Sequence, residues 1–492
     1  MSRIIIQNGN MCELDLPLKF AQKLYAEFAI RHPNAFYLRT RQRGMQNWDG
    51  KIHYINKHGE FKIGLLPAVY EKCTEYGIKP KVVDMRQPLP KVSKVVTKIG
   101  EYKLRPEQEK AVKAVINNKV GKVPFQIGIL DYTVNAGKTL IMSSLYLSYK
   151  KQLKTLLITN DSDWLNQARD EFKKYLPGEQ ITFVQGKVLN WSNFTIGMVQ
   201  SISRNMRFYQ NELAKVDMVL VDEADQAGSK QYQNVLTRLF NTRVRIGLSG
   251  TIYMSKLAKD KVKNMNLEVF FGKVLAEFKL KDSIKKGYST RTIVKMVPSK
   301  PWYGNWESEE VSYKEVYDDS ITFNKYARRM VYSRLKWNLK QGRYPALVVC
   351  KFIAHCENLC KYFKKKLGSK YNIACVHVDT PSKIRQQIMK DFREGKIDIL
   401  VSTTIIARGK NFPKLRYLLN AASMDSQEKS IQFLGRLVRT DSSKKKVYLD
   451  DLHYPGPYLN RHGKHRKQYY QKQELKVILL EKIWKNHPIH SL

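Results

Sequence analysis

Residues 127–140 read IGILDYTVNAGKTL, and the fold follows from how that run divides. Ile127–Tyr132 is apolar enough for a strand buried on both faces, and Gly137-Lys138-Thr139 then opens a stretch with helical periodicity. A strand, a tight loop of small residues and a helix N-terminus, in that order, aim backbone N–H groups at a triphosphate. On this reading Asn135, Ala136 and Gly137 cradle the phosphates of ATP, Lys138 reaches the β- and γ-phosphates, and the Thr139 hydroxyl ligates Mg2+. The first glycine of a full-length phosphate loop is absent, since Tyr132 stands in its place.

Outward from this point, short β-branched runs alternate with helical stretches. FQIGILDY (125–132), KTLLIT (154–159), FTIGMVQ (194–200), DMVLVD (217–222) and VRIGLS (244–249) read as buried parallel strands. GKTLIMSSLYLSYKK (137–151) and DSDWLNQARDEFKKYL (161–176) read as helices between them. That alternation predicts a doubly wound α/β domain. A second series follows: PALVVC (345–350), YNIACVHV (371–378), IDILVS (397–402), LRYLLN (415–420) and KKVYLD (445–450). The helix PSKIRQQIMKDFREG (381–395) in that series has Pro near its start and Gly after its end. The chain therefore reads as α/β with two domains in tandem, over 91–290 and 291–455.

The first ninety residues differ. PLKFAQKLYAEFAIRH (17–32) is helix-like, and residues 36–67 alternate and turn at Asp49-Gly50 and His58-Gly59 as a small antiparallel sheet would. A separate α+β module over 1–90 is expected, with the Pro-containing 82–92 as a linker. Residues 456–492 form a basic tail in which 466–486 reads as one amphipathic helix, fit either for packing or for DNA contact.

The net charge is +43, from 87 basic and 44 acidic residues. Cations spread over the whole length argue for a polyanionic partner, because each one set against a phosphate releases condensed counterions. No apolar run is long enough to cross a bilayer, and no secretory signal is readable at the N-terminus, so no membrane partner and a cytoplasmic setting are expected. The six cysteines read as reduced core thiols; Cys356 and Cys360, four apart on a predicted helix, leave a metal site conceivable.

DMVLVDEAD (217–225) is a buried strand that delivers Asp222 and Glu223 at its C-terminal end, where ligands bind in open α/β sheets. Asp222 can hold Mg2+ together with Thr139, and Glu223 can orient and deprotonate an attacking water. In SIQFLGRLVR (430–439), Arg436 and Arg439 are three apart, which predicts one shared helical face beside Gln432.

Taken together these residues resemble the superfamily 2 helicases, over roughly residues 100–452. LRPEQ (104–108) precedes the phosphate loop; TNDSDWLNQ (159–167), GMVQS (197–201), VDEAD (221–225) and GLSGT (247–251) follow in motif order. LVVCKFIAHCENL (347–359), VSTTIIARGKNFP (401–413) and QFLGRLVR (432–439) complete it. The resemblance implies two RecA-like domains with ATP between them. It places Arg105 and Gln108 near the adenine, and gives Gly409 to the nucleotide site. Asp225, Ser249 and Thr251 would couple hydrolysis to strand contacts; Gln432, Arg436 and Arg439 would close over the γ-phosphate; Gln200, Lys351 and Thr403 would touch DNA. Asn135 stands where the family's loop usually has Gly or Ser, a departure that a left-handed Asn accommodates.

The four letters D-E-A-D at 222–225 also name a class of RNA helicases. That class has P-T-R-E-L-A and H-R-I-G-R elsewhere, and here those positions read TNDSDWLNQ and QFLGRLVR. Asp225 is then a variable fourth position. A narrower likeness lies in QNWDGKIHYINKHGEFKIGLLP (46–67), YARRMVYSRLKWNL (326–339) and NRHGKHRKQYY (460–470), which are similar to phage UvsW-type helicases. Those relatives remodel forks and recombination intermediates and use the small domain to engage duplex DNA, inside a bacterial host. In this chain Arg39, Arg41, Arg43 and Lys51 around Trp48 would form that surface, unless Trp48 is core and the charges only a solvated edge. The expected partner is single-stranded, forked or branched DNA, engaged by a monomer. An RNA helicase, a restriction-type motor and an inactive clamp that kept the fold are the rival readings.

Overall fold

The computed structural model describes residues 2–41, 44–160, 162–250, 252, 258–299, 311–407, 412–441 and 444–480. The chain divides into two compact units, Met1–Phe278 and Lys279–Leu492.

The first unit is built on a seven-stranded sheet. In spatial order its strands are Ile181–Val184, Phe194–Met198, Thr155–Thr159, Met218–Asp222, Val244–Ser249, Ile127–Tyr132 and Val274–Phe278, all parallel. The five strands expected from the sequence are present. Two are additional edge strands: Ile181–Val184 and Val274–Phe278 are only partly buried, so neither carries the continuous apolar signature of a central strand. Every residue of Ile127–Tyr132, Met218–Asp222 and Val244–Ser249 is buried. A fully buried Ile, Leu or Val side chain contributes about 1.5–3 kcal/mol, and these three strands hold the sheet's centre.

The N-terminal residues form a four-stranded sheet in the order Glu60–Lys62, Met11–Asp15, Arg3–Ile6, Lys81–Asp84. Its outer pair, Arg3–Ile6 with Lys81–Asp84, is parallel, so the expected linker 82–92 begins inside a strand. The expected antiparallel sheet over 36–67 is corrected in part. Ala35–Arg41 is a helix, which places Arg39 and Arg41 on a helical surface, whereas Lys51–His53 and Glu60–Lys62 are strands as read. This module shares one apolar core with the larger sheet, running from Ile4, Ile6 and Leu65 to Leu236, Leu267 and Phe271. Contact is close enough that a Cβ on Gly64 would lie 2.2 Å from the Glu268 carbonyl oxygen. Arg245, on strand Val244–Ser249, is fully buried and donates to Gly9 O at 2.8 Å and Asn10 Oδ1 at 2.7 Å.

The second unit has its own seven-stranded parallel sheet, ordered Ile373–Val376, Ile399–Thr403, Ala346–Cys350, Tyr417–Asn420, Lys446–His453, Arg291–Pro298, Lys476–Leu479. The tail is corrected here. Helix Leu459–Lys472 stops well before residue 486, Glu474 takes a left-handed φ of 52°, and Lys476–Leu479 joins the sheet beside Arg291–Pro298. The β-branched Val477 and Ile478 suit a pleated edge better than another helical turn. Arg466 on that helix is fully buried, so for this residue the packing alternative holds. Cys356 and Cys360 are buried on helix Ile353–Leu367, where Cys356 Sγ faces Cys375 Sγ at 3.3 Å. No helix among the described residues is long and apolar enough to cross a membrane.

Candidate nucleotide site of the first unit

Strand Ile127–Tyr132 ends where the chain must turn sharply into helix Lys138–Ser148. Two left-handed residues make the turn, Asn135 at φ 64° and Gly137 at φ 71°. The first is an Asn, the second a Gly, the two residue types for which that conformation costs least. A side chain at Gly137 is also excluded sterically, because a Cβ there would lie 2.3 Å from Gln108 Nε2.

Arg105 and Gln108 brace this loop from outside. Gln108 Nε2 donates to Ala136 O at 2.8 Å, Arg105 Nη1 donates to Asn135 O at 3.3 Å, and Arg105 N donates to Gln108 Oε1 at 2.8 Å. Tyr132, standing in place of the missing glycine, is buried and donates its hydroxyl to Glu107 O at 2.7 Å. It therefore joins the strand to the same brace.

Lys138 is the first residue of its helix, and its Nζ lies 3.5 Å from Asp222 Oδ1. Burial pulls the Lys138 ammonium down, but the carboxylates of Asp222, Glu223 and Asp225 outweigh it and hold the group above its ordinary value. Lys138 is thus a fixed cation among three acids. Asp222 Oδ1 is buried and accepts no hydrogen bond. A carboxylate oxygen left in that state suits a divalent cation, and Thr139 and Asp222 make an oxygen donor set of the kind Mg2+ takes. The Thr139 hydroxyl donates to Glu171 Oε2 at 3.0 Å, a contact that uses its hydrogen and leaves the oxygen lone pairs for a metal.

Glu223 is half-buried and has a left-handed φ of 52°, a conformation that costs a non-glycine residue about 1 kcal/mol or more. It ends strand Met218–Asp222 and turns the chain into the short turn Ala224–Gln226. Asp225 Oδ1 accepts from Ser249 Oγ at 2.8 Å, both buried, linking the ends of two neighbouring strands. Gln200 Nε2 donates to Asn160 O at 3.2 Å. Thr251, Arg43 and Gly409 lie outside the described residues.

In the second unit, Gln432 and Arg436 lie on helix Gln427–Leu437, but Arg439 lies past its end. The shared helical face expected for the two arginines is therefore corrected. Thr290 N and Oγ1 capture the carbonyls of Val438 and Arg439, which turns the chain toward the sheet. Thr403 is buried at the end of strand Ile399–Thr403. Lys351 follows strand Ala346–Cys350 with its Nζ 3.7 Å over the Tyr313 ring; burial lowers its pKa, and Lys429 lowers it further. In the N-terminal module, Arg39, Arg41 and Lys51 are exposed, while Trp48 is half-buried. The Trp48 ring meets His32 edge-on and Nε1 donates to Lys51 O at 2.9 Å.

Sequence reasoning missed Glu171, because an acid on an amphipathic helix surface carries no local signal. It also missed Phe36 and Tyr37, assigned there to a strand, although both are exposed on helix Ala35–Arg41.

Comparison with known proteins agrees with this arrangement. A model described as type III restriction enzyme, res subunit, matches residues 101–254, and one described as helicase conserved C-terminal domain matches residues 328–441. Putative helicase 22 of Sulfolobus islandicus filamentous virus (isolate Iceland/Hveragerdi) is 22% identical over 382 residues, covering 72% of this chain and 65% of the relative. The chain thus spans just under two thirds of that relative's length. The solved structure of S. cerevisiae Dbp5 bound to RNA and ADP BeF3 matches with 14% identity and a TM-score of 0.52, over 78% of this chain and 91% of that one. T4 UvsW matches over 97% of this chain and 98% of its own at 19% identity, with a TM-score of 0.44, too low to carry an argument. The two RecA-like parallel-sheet units and the two helicase domain models in tandem make the chain similar to the superfamily 2 helicases.

Proposed function

We propose that the chain is an ATP-driven DNA helicase or translocase that unwinds or branch-migrates forked and recombination-intermediate DNA. The observation that carries the ATP part is the buried Lys138–Asp222 pair at 3.5 Å, set between a left-handed phosphate loop and Glu223. Lys138 and the loop N–H groups bind the β- and γ-phosphates, and Glu223 orients and accepts a proton from the attacking water. Thr139 and Asp222 hold Mg2+, which when bound neutralises phosphate charge. Asp225 and Ser249 relay the state of the site along adjacent strand ends, and Thr251 is assigned with them. Gln432, Arg436 and Arg439 stabilise charge on the transferring phosphoryl group.

The DNA part rests on the net charge of +43 and on the basic surface of Arg39, Arg41 and Lys51. Gln200, Lys351 and Thr403 are assigned to DNA contacts as well. The Dbp5 match, a protein bound to RNA, favours RNA as the second reading. The experiment is ATP hydrolysis with single-stranded DNA, duplex, forked or four-way DNA, and RNA, at one moderate salt concentration. Highest turnover on branched or single-stranded DNA is expected; highest turnover on RNA overturns the DNA assignment. Lys138→Ala should abolish turnover and leave DNA binding largely intact, and equal loss of both would sink the site assignment.

A further inference from the structure

A cavity of about 500 Å3 opens in the N-terminal module between helix Ala35–Arg41 and the turn that leads into strand Lys51–His53. Its lining includes Arg31, Phe36, Arg39, Gln46, Asp49 and Lys51. The volume falls in the roughly 300–1,000 Å3 range of small-ligand sites.

Phe36 is 80% exposed, which leaves a whole aromatic face in water at the cavity. Phe36, Arg39 and Thr40 stand at i, i+3 and i+4, so one face of a short helix presents a ring and a guanidinium to the same space. Tyr37, 56% exposed, lies on the adjoining face beneath the Arg41 guanidinium at 5.1 Å. Trp48 is not the free ring of this region, since its indole N–H is held by the Lys51 carbonyl. Asp49 is also committed. His53 Nε2 lies 2.6 Å from its Oδ2 and Lys51 N donates to its Oδ1, and these bonds hold its carboxyl below the ordinary range. Three cations face this one occupied carboxylate, so the cavity attracts an anion.

We propose that this cavity takes one unpaired nucleotide of a single-stranded nucleic acid. The base stacks on Phe36, and Arg39 and Lys51 hold its phosphate. The proposal rests on the nucleic-acid reading above and adds the element that distinguishes a single strand from a duplex. A base in a duplex has both faces covered by its neighbours, whereas an unpaired base offers one to an aromatic ring. Gln46, whose Oε1 already accepts from Gly44 N at 3.0 Å, keeps its amide N–H groups for acceptors on the base edge.

The test uses the full chain at fixed salt and fluorescence anisotropy with three probes: labelled oligothymidylate, oligouridylate of equal length, and a blunt DNA duplex. Because Phe36 is so exposed, Phe36→Ala should fold normally. It should weaken oligothymidylate binding about 5- to 100-fold and duplex binding less than about twofold, and Phe36→Trp should restore the loss. An oligothymidylate carrying 5-iodouracil should photocrosslink to residue 36 or 37. Equal loss on duplex, or no loss on the single strand, overturns the site and leaves the exposed ring to a protein contact. Phe36-dependent binding with turnover highest on RNA keeps this site and removes the DNA assignment. DNA-stimulated turnover with single-strand binding indifferent to Phe36 removes this site alone.

Discussion

The two large sheets have the same strand order. Numbered by sequence within each sheet, the strands run third, fourth, second, fifth, sixth, first, seventh in both, and every pairing is parallel. Each buries a cation against acids, and the two charge clusters are built in opposite ways. In the second sheet, Arg466 and Asp451 are both fully buried and fully satisfied. Arg466 Nε donates to Asp451 Oδ1 at 2.9 Å and Oδ2 at 3.1 Å, and its remaining donors reach Met424 O and Leu452 O, each at 2.9 Å. Tyr470 and Asn420 complete the Asp451 carboxylate. In the first sheet, Lys138 faces Asp222 at 3.5 Å, longer than a charge-assisted hydrogen bond, and Asp222 Oδ1 has no hydrogen bond. A saturated network has nothing left to offer a ligand, whereas an incomplete one at the mouth of a loop can still be completed by one. The same fold thus carries a saturated charge pair in one copy and an incomplete one in the other.

The sharpest way to break this comparison is chemical. Glu223→Gln removes the acid that accepts the proton and keeps its shape, so ATP turnover should fall about 10²- to 10⁴-fold while nucleotide binding persists. Turnover within tenfold of the unsubstituted chain, read by phosphate release, would remove Glu223 from that role.

Next comes the same truncation in both pairs. Arg466→Met leaves Asp451 buried and unpaired and should cost about 3–5 kcal/mol of stability in the second unit. Lys138→Met, in a pair whose lysine side chain keeps 16% exposure against none for Arg466, should cost less stability than Arg466→Met and act mainly on turnover. Denaturant midpoints measure both, and equal losses would erase the distinction between the two pairs.

The smallest effect is expected from pH. Lys444 Nζ donates to Leu415 O and Leu437 O, and burial, against the pull of Asp441, lowers its pKa from 10.5 to about 8. Between those values the unfolded chain holds a proton that the folded chain does not, so stability should rise as pH increases from about 8 to 10.5. A neutral amine keeps two N–H donors, enough for both carbonyls. Lys444→Met should flatten that part of the stability curve, and an unchanged slope would show that Lys444 stays charged in the fold.

The residues most legible in sequence were those whose role is local. GKT after a buried strand, VDEAD at the end of another, and a Gly at the close of helix Ser382–Glu394 each state a backbone requirement within a few positions. Asn135 is the clearest instance, since an Asn at that place anticipates the left-handed φ of 64°. The edge strands Ile181–Val184 and Lys476–Leu479 were not legible, because half-exposed strands lose the apolar run that marks central ones. Residues 35–41 were misread for a related reason: FYLRTR alternates in hydropathy, but Phe36 and Tyr37 face solvent and the helix buries only Ala35.

By itself, then, the sequence determined the alternation of strands and helices, the tandem repeat and the left-handed turn from strand Ile127–Tyr132 into helix Lys138–Ser148, because short-range periodicity and backbone conformation are written in neighbouring residues. The tertiary structure decided which distant charges meet. Glu171 holding Thr139, Ser249 holding Asp225 and Arg466 sealed against Asp451 each depend on elements that the packing of their own unit brings together. Burial and solvation at those meeting points are set by the surrounding chain, and no local pattern encodes them.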